Sequence, residues 1–160
     1  KASKKFFFRD IKSSIEWKPD GVVICTPTNT HLKIAELFLG KTKKILIEKP
    51  ITNSLLSVNR FDKIRKKSKT KVYVVCNMRF HQALLAIKKK VNSIGRIYFV
   101  RSHFGNWLPN MRPKQDYKKA YSASKTKSGG IVLDSIHEID YLSYLFGKIK
   151  EITLLKKKNV

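Results

Sequence analysis

The chain has 160 residues, 42% hydrophobic and 29% charged, which is the balance of a folded globular chain and excludes a disordered or fibrous one. No apolar run reaches the ~20 residues that span a bilayer, and the basic start KASKKFFFRD lacks the long apolar stretch of a secretory signal. The net charge of +24 invites a nucleic-acid reading, but only seven of the 35 basic residues are Arg and no base-stacking aromatic run accompanies them. A Lys-rich solvated surface, or attraction for an anionic substrate, is therefore expected, and a basic nucleic-acid module is the weakest reading. Cys25 and Cys76 each sit in an apolar run, GVVICTP and VYVVCNM. Two buried, unpaired strand thiols in a reducing, cytoplasmic setting are expected.

In chain order, residues 20–25 (DGVVIC) form a short apolar run stopped by Thr26-Pro27. Thr28, Asn29 and Thr30 are cap-type residues, and Leu32, Ile34, Ala35, Leu37, Phe38 and Leu39 then mark a helix closed by Gly40. A second strand, KKILIEK, ends at Pro50, where a cis bond is conceivable but trans is the commoner form. Asn53 is a candidate cap for a helix marked by Leu55, Val58, Phe61 and Ile64. A third strand, KVYVVCNM, follows.

This order is β-α-β-α-β, and each strand is a near-continuous apolar run. Such runs imply a parallel sheet covered on both faces. Right-handed crossovers then bring all three strand C-termini to one edge, where ligands bind in sheets of this kind. The segments CTPTNTH, IEKP and CNMRF converge there.

After residue 80 the pattern changes. Leu84, Ile87 and Val91 mark a helix ending near Gly95, and RIYFVRSHFG reads as a longer strand. Residues 106–128 are irregular, and a loop that long is usually functional or mobile. Gly129-Gly130 opens an apolar helix, IVLDSIHEIDYLSYLFG, and KIKEITLLKKK begins a last strand. The fold class expected is α/β: a partial Rossmann-type parallel sheet over 1–80, then the start of an α+β domain over 81–160.

Lys49, at a strand C-terminus, is placed where a desolvated ammonium acts on a substrate oxygen; the alternative is a solvated lysine. Asp134, His137 and Asp140 recur every three residues on one stripe of an apolar helix. Polar groups there need partners or cavity water, and His is the usual acid or base near neutral pH. Structural hydrogen bonds explain the same pattern. No recognised metal-ligand spacing is present, so no metal is expected. His31, His81 and His103 read as local hydrogen-bonding residues. No Walker loop, nucleophile elbow, CxxC or HExxH occurs.

PDGVVICTPTNTHLKIAELFLGKTKKILIEKPI, VCNMRFHQ and SGGIVLDSIHEIDYLSYLFG, in this order, resemble the Gfo/Idh/MocA family of nicotinamide-dependent oxidoreductases. They look like the second half of its dinucleotide-binding domain, its interdomain crossing and the start of its substrate domain. NWLPNMRPKQDYKKAYSAS further resembles the branch found near sugar and nonulosonic-acid biosynthesis. The resemblance implies NAD or NADP as cofactor, lined by Thr26, Pro27, Asn29 and His31, with Glu48, Lys49 and Asn77 near the nicotinamide-ribose. It implies that Lys49 hydrogen-bonds the reacting oxygen and His137 moves its proton, with Asp134 as the third catalytic residue. Arg79, Trp107, Tyr117, Tyr121, Asp134 and His137 would face a small sugar-type substrate, and the full-length form would be a homo-oligomer. Two departures stand out. No GxGxxG turn is present to seat a pyrophosphate, and Asp134 and His137 show D-x-x-H where much of the family has D-x-x-x-H. The expectation is a piece without the first β-α-β unit or most of the C-terminal sheet, the alternative being a non-catalytic remnant.

Overall fold

A computed structural model describes residues 7–105, 107–111, 116–119, 123 and 130–154. Three strands, β1 (Gly21–Ile24), β2 (Lys44–Ile47) and β3 (Lys71–Val74), form a parallel sheet in the order β1-β2-β3. The register runs Gly21↔Lys44↔Lys71 through Ile24↔Ile47↔Val74, so the strands end level. Ahead of them lies α1 (Ile11–Glu16), capped by the Asp10 carboxylate accepting from Ser13 N at 2.8 Å. Six residues are too few for a helical period to register in the sequence, and α1 was not expected. The crossovers are α2 (His31–Phe38) and α3 (Leu55–Lys66). Gly40, at φ 76°, takes the left-handed turn that closes the first of them. Ser54 rather than Asn53 caps α3, accepting from Ser57 N.

One core joins these elements: Ile24, Leu32, Ala35, Phe38, Ile45, Ile47 and Phe61. Ile45, Ile47 and Ala35 are fully enclosed at 0% exposure, which brings α2 close onto the central strand. Replacing Ile45 with valine is expected to lower stability by about 0.5–1.5 kcal/mol, seen as a reduced urea midpoint with an unchanged m-value. At the opposite end of the strands, buried Thr70 donates its hydroxyl to the Thr42 carbonyl at 2.7 Å and accepts from Gly40 N at 2.9 Å. Thr42 in turn donates to the Pro19 carbonyl at 2.8 Å. These bonds align the starts of all three strands.

Beyond β3 a 3₁₀ turn (Asn77–Phe80) leads into α4 (Gln82–Lys90), and then come α5 (Leu108–Met111), α6 (Ile131–Asp134) and α7 (Ile136–Phe146). No helix among the described residues is long and apolar enough to cross a membrane.

Five expectations need correction. The sheet is covered on one face only among the described residues. Both crossovers lie on the Ile45–Ile47 face, and the strand period of two sends Val23, Leu46 and Tyr73, aligned in register, to the other face. The segments 96–105 and 148–154 pair with no strand among the described residues, because a strand exists only with a hydrogen-bonded neighbour; Tyr98, Phe99, Ile152 and Leu154 are largely exposed. The apolar helix after Gly130 is two helices, broken at Ser135 (φ −99°, ψ 31°). Cys25 and Cys76 are free as expected but lie just past β1 and β3, one exposed and one half-buried, rather than inside the strands. The Lys49-Pro50 bond is cis.

Candidate functional site

Three loops meet at the C-terminal edge of the sheet, and each begins where an apolar strand runs out. After β1, Thr26, Pro27 and Asn29 stand exposed, while Thr28 is buried. Thr30 Oγ1 donates to the Pro27 carbonyl at 2.7 Å and lies 2.8 Å from Thr26 Oγ1, which shapes this loop as a tight turn into α2. After β2, the half-buried Glu48 carboxylate accepts from the Lys49 amide at 3.1 Å. After β3, Asn77 is exposed and opens the 3₁₀ turn.

Lys49 links this edge to the second half of the chain. Its side chain is 20% exposed, and Nζ donates to the backbone carbonyl of Asp134. The Asp134 carboxylate, 24% exposed, lies 3.8 Å from the same nitrogen. This contact accounts for the helix break at Ser135. In a continuous helix the Asp134 carbonyl would accept from the amide four residues on, that of Glu138. Here that amide donates instead to the Ser135 carbonyl at 3.2 Å, and Lys49 takes the carbonyl so released. An ammonium carries three donors, so Nζ keeps capacity for a further acceptor. His137, half-buried, is the second residue of α7, three positions from the group Lys49 holds.

A second tie lies beside the first. Arg79, in the 3₁₀ turn, grips Asp140 with two hydrogen bonds, Nε to Oδ2 at 2.8 Å and Nη2 to Oδ1 at 2.5 Å. Its guanidinium also sits 5.1 Å over the Tyr144 ring, with Lys88 Nζ 4.7 Å from that ring and donating to the Tyr144 carbonyl. Hydrogen bonding from Arg79 is the chief influence holding the Asp140 carboxyl below its usual range, against an opposing effect of burial. Burial, then hydrogen bonding to Asp140, pushes the Cys76 thiol up, which keeps it protonated and unreactive.

Two residues assigned to ligand surfaces by resemblance have hydrogen-bond partners within the chain. Arg79, expected to face a substrate, donates through Nε and Nη2 to the Asp140 carboxylate and keeps its side chain 41% exposed. His31, expected to line a cofactor, is 1% exposed and bonded to two backbone carbonyls. Trp107 and Tyr117 are exposed in the segment before α6, and Tyr121 lies outside the described residues. Sequence reasoning passed over Glu138, whose Oε2 is buried without a hydrogen-bond partner among the described residues. The signal available was a carboxylate inside the apolar run IHEID. No metal-ligating cluster occurs among the described residues. A groove of about 430 Å³ is lined by Val91, Tyr98, Phe99, Leu145 and Phe146 among others. Its lining carries no acid or base beyond the Tyr98 phenol.

Two family models match the chain. One, for an oxidoreductase family with an NAD-binding Rossmann fold, matches residues 3–76; the other, for the GFO/IDH/MocA C-terminal domain, matches residues 81–159. The chain is 35% identical over 130 residues to an inositol 2-dehydrogenase of Rhizobium meliloti, covering 81% of this chain and 37% of that protein. It is 30% identical over 132 residues to a myo-inositol 2-dehydrogenase of Thermotoga maritima, covering 81% and 36%. A crystal structure of a putative myo-inositol dehydrogenase from Sinorhizobium meliloti superposes with a TM-score of 0.66 at 30% identity, covering 88% of this chain and 41% of that one. The chain therefore spans under half the length of the relatives it matches.

Proposed function

The chain belongs to the Gfo/Idh/MocA oxidoreductase family, and from that premise we propose that the protein carrying it transfers a hydride between a nicotinamide cofactor and a hydroxyl- or carbonyl-bearing carbon of a sugar-type substrate. The observation that carries this reading is the reach of Lys49 from the strand edge to the Asp134 carbonyl, beside His137. It brings a hydrogen-bond donor to a backbone carbonyl three positions before an imidazole, at the edge where α/β sheets bind ligands. Relatives named as inositol dehydrogenases favour a cyclic polyol or a sugar as substrate.

The residues at the edge suit NAD or NADP. Thr26, Asn29 and Asn77 offer exposed hydroxyl and amide groups, and the Glu48 carboxylate is of the type that accepts from ribose hydroxyls. When bound, the nicotinamide ring supplies or accepts the hydride. Lys49 donates a hydrogen bond to the reacting oxygen, stabilising the charge that develops there. Asp134 holds the ammonium in place through its carbonyl and carboxylate. His137 takes the hydroxyl proton on oxidation and returns it on reduction. The division into a cofactor half over 1–80 and a substrate half over 81–160, with assembly as a homo-oligomer, is part of the same proposal.

NADH titrated into the protein, followed by nicotinamide fluorescence, tests it together with a turnover assay on inositols and simple sugars. Micromolar binding with turnover on one of them is the expected result. Absence of nicotinamide binding by the full-length protein would remove the reading.

A further inference from the structure

His31 opens α2 yet spends nothing on its own helix. Its ring is 1% exposed, with Nδ1 3.0 Å from the Pro50 carbonyl oxygen and Nε2 2.7 Å from the Thr26 carbonyl oxygen. The two acceptors belong to different segments, the loop after β1 and the turn after β2, and Pro50 is bonded directly to Lys49. β1 and β2 are neighbours in the sheet, so the ring bridges the two adjoining strand ends.

We propose that His31 is a positioning residue: a buried strap that fixes the turn carrying Lys49 against the loop of Thr26 and Pro27, and so sets where Lys49 stands relative to a ligand at that edge. This rests on the functional reading above for its consequence, but the strap itself is a matter of hydrogen-bond chemistry. Carbonyl oxygens only accept. A neutral imidazole carries one N–H, so it satisfies one of these carbonyls and turns a lone pair on the other. Whichever ring nitrogen bears it, that hydrogen ties one loop to α2, and the enclosed ring packs against the carbonyl of the other. The acids nearest in sequence have partners of their own: Glu36 accepts from Arg60 and Asp20 pairs with Lys43, while Glu48 accepts from the Lys49 amide. The ring is thus held by the two loops and not by a carboxylate among these.

A phenylalanine at this position fills the volume and donates to neither loop, while a glutamine donates from a single nitrogen. In the full-length protein, kcat per folded molecule is expected to fall tenfold or more for His31→Phe and by less for His31→Gln, because a small displacement of a reacting group is enough to cost that much. Thermal melting supplies the folded fraction. Ring ¹⁵N spectra of the unsubstituted protein at neutral pH provide a readout that needs neither a variant nor turnover. A ring hydrogen of His31 coupled to a backbone carbonyl and protected from exchange with solvent is the expected result. A ring hydrogen that exchanges as freely as that of an exposed histidine overturns the strap, as does an unchanged kcat in folded His31→Phe. If Lys49→Ala leaves turnover intact while the spectra show the protected ring hydrogen, the functional reading fails and the strap stands.

Discussion

Substitution of Lys49 by methionine in the full-length protein is expected to lower kcat by about 10²–10³-fold, the range for loss of one positioned proton-handling or oxyanion-stabilising group. Methionine keeps the length and apolar stem of the side chain but removes every donor. Two things follow from the geometry. The reacting oxygen loses its hydrogen bond, and the Asp134 carbonyl loses the donor that holds the break between α6 and α7. The second effect costs about 1.5–3 kcal/mol of stability, the worth of one hydrogen bond from a charged donor. Lys49→Arg separates the roles. It keeps the charge, but a planar fork does not replace a compact ammonium at a site shaped for it, so most of the loss is expected to persist. Steady-state rates with saturating cofactor, beside a melting curve for each variant, decide the matter; full turnover in Lys49→Met would refute the assignment.

Asp140→Asn is expected to destabilise the fold by about 1–3 kcal/mol. That is below the ~3–5 kcal/mol for breaking a fully buried pair, because Arg79 remains 41% exposed and water screens it. The change leaves a guanidinium facing an amide where it had a bidentate carboxylate, at the junction between the crossing turn and α7. The pH dependence has a defined sign. Arg79 depresses the folded-state Asp140 carboxyl, so the pair's stabilisation is present above the unfolded carboxyl value near 3.9 and is lost as pH falls through the lower folded value. Urea midpoints at neutral pH should therefore separate the unsubstituted protein from Asp140→Asn, and the gap should close as the pH drops below about 4. A gap that is constant down to pH 2 would show that the carboxylate charge is not what the pair contributes.

Much of the edge was legible in the residues. Short apolar runs ending in Thr26-Pro27 and in Pro50 identify strands and their stops, because proline removes a donor that a ladder needs. The helical spacing around Phe61, and Gly40 with its positive φ, locate the crossovers. Strands of one direction joined by helices leave few topologies, so the convergence of three loops on one edge follows from pattern alone.

The partners of the polar groups were not legible in that way. Arg79, His31 and Asp140 are residue types that serve equally as ligand contacts or as structural ties. Their neighbours lie 61 residues away for Arg79 and Asp140, and 19 for His31 and Pro50. The same holds for the helix break. IVLDSIHEIDYLSYLF carries no glycine or proline and reads as one helix; it divides because a lysine 85 residues earlier captures one carbonyl. The sequence by itself determined the parallel α/β architecture and the strand edge that bears Lys49, because period, strand stops and crossover handedness are local properties of the chain. Only the tertiary structure decided which polar groups at that edge remain open and which are consumed in holding it together, because hydrogen-bond partners depend on distances across the fold that no local pattern encodes.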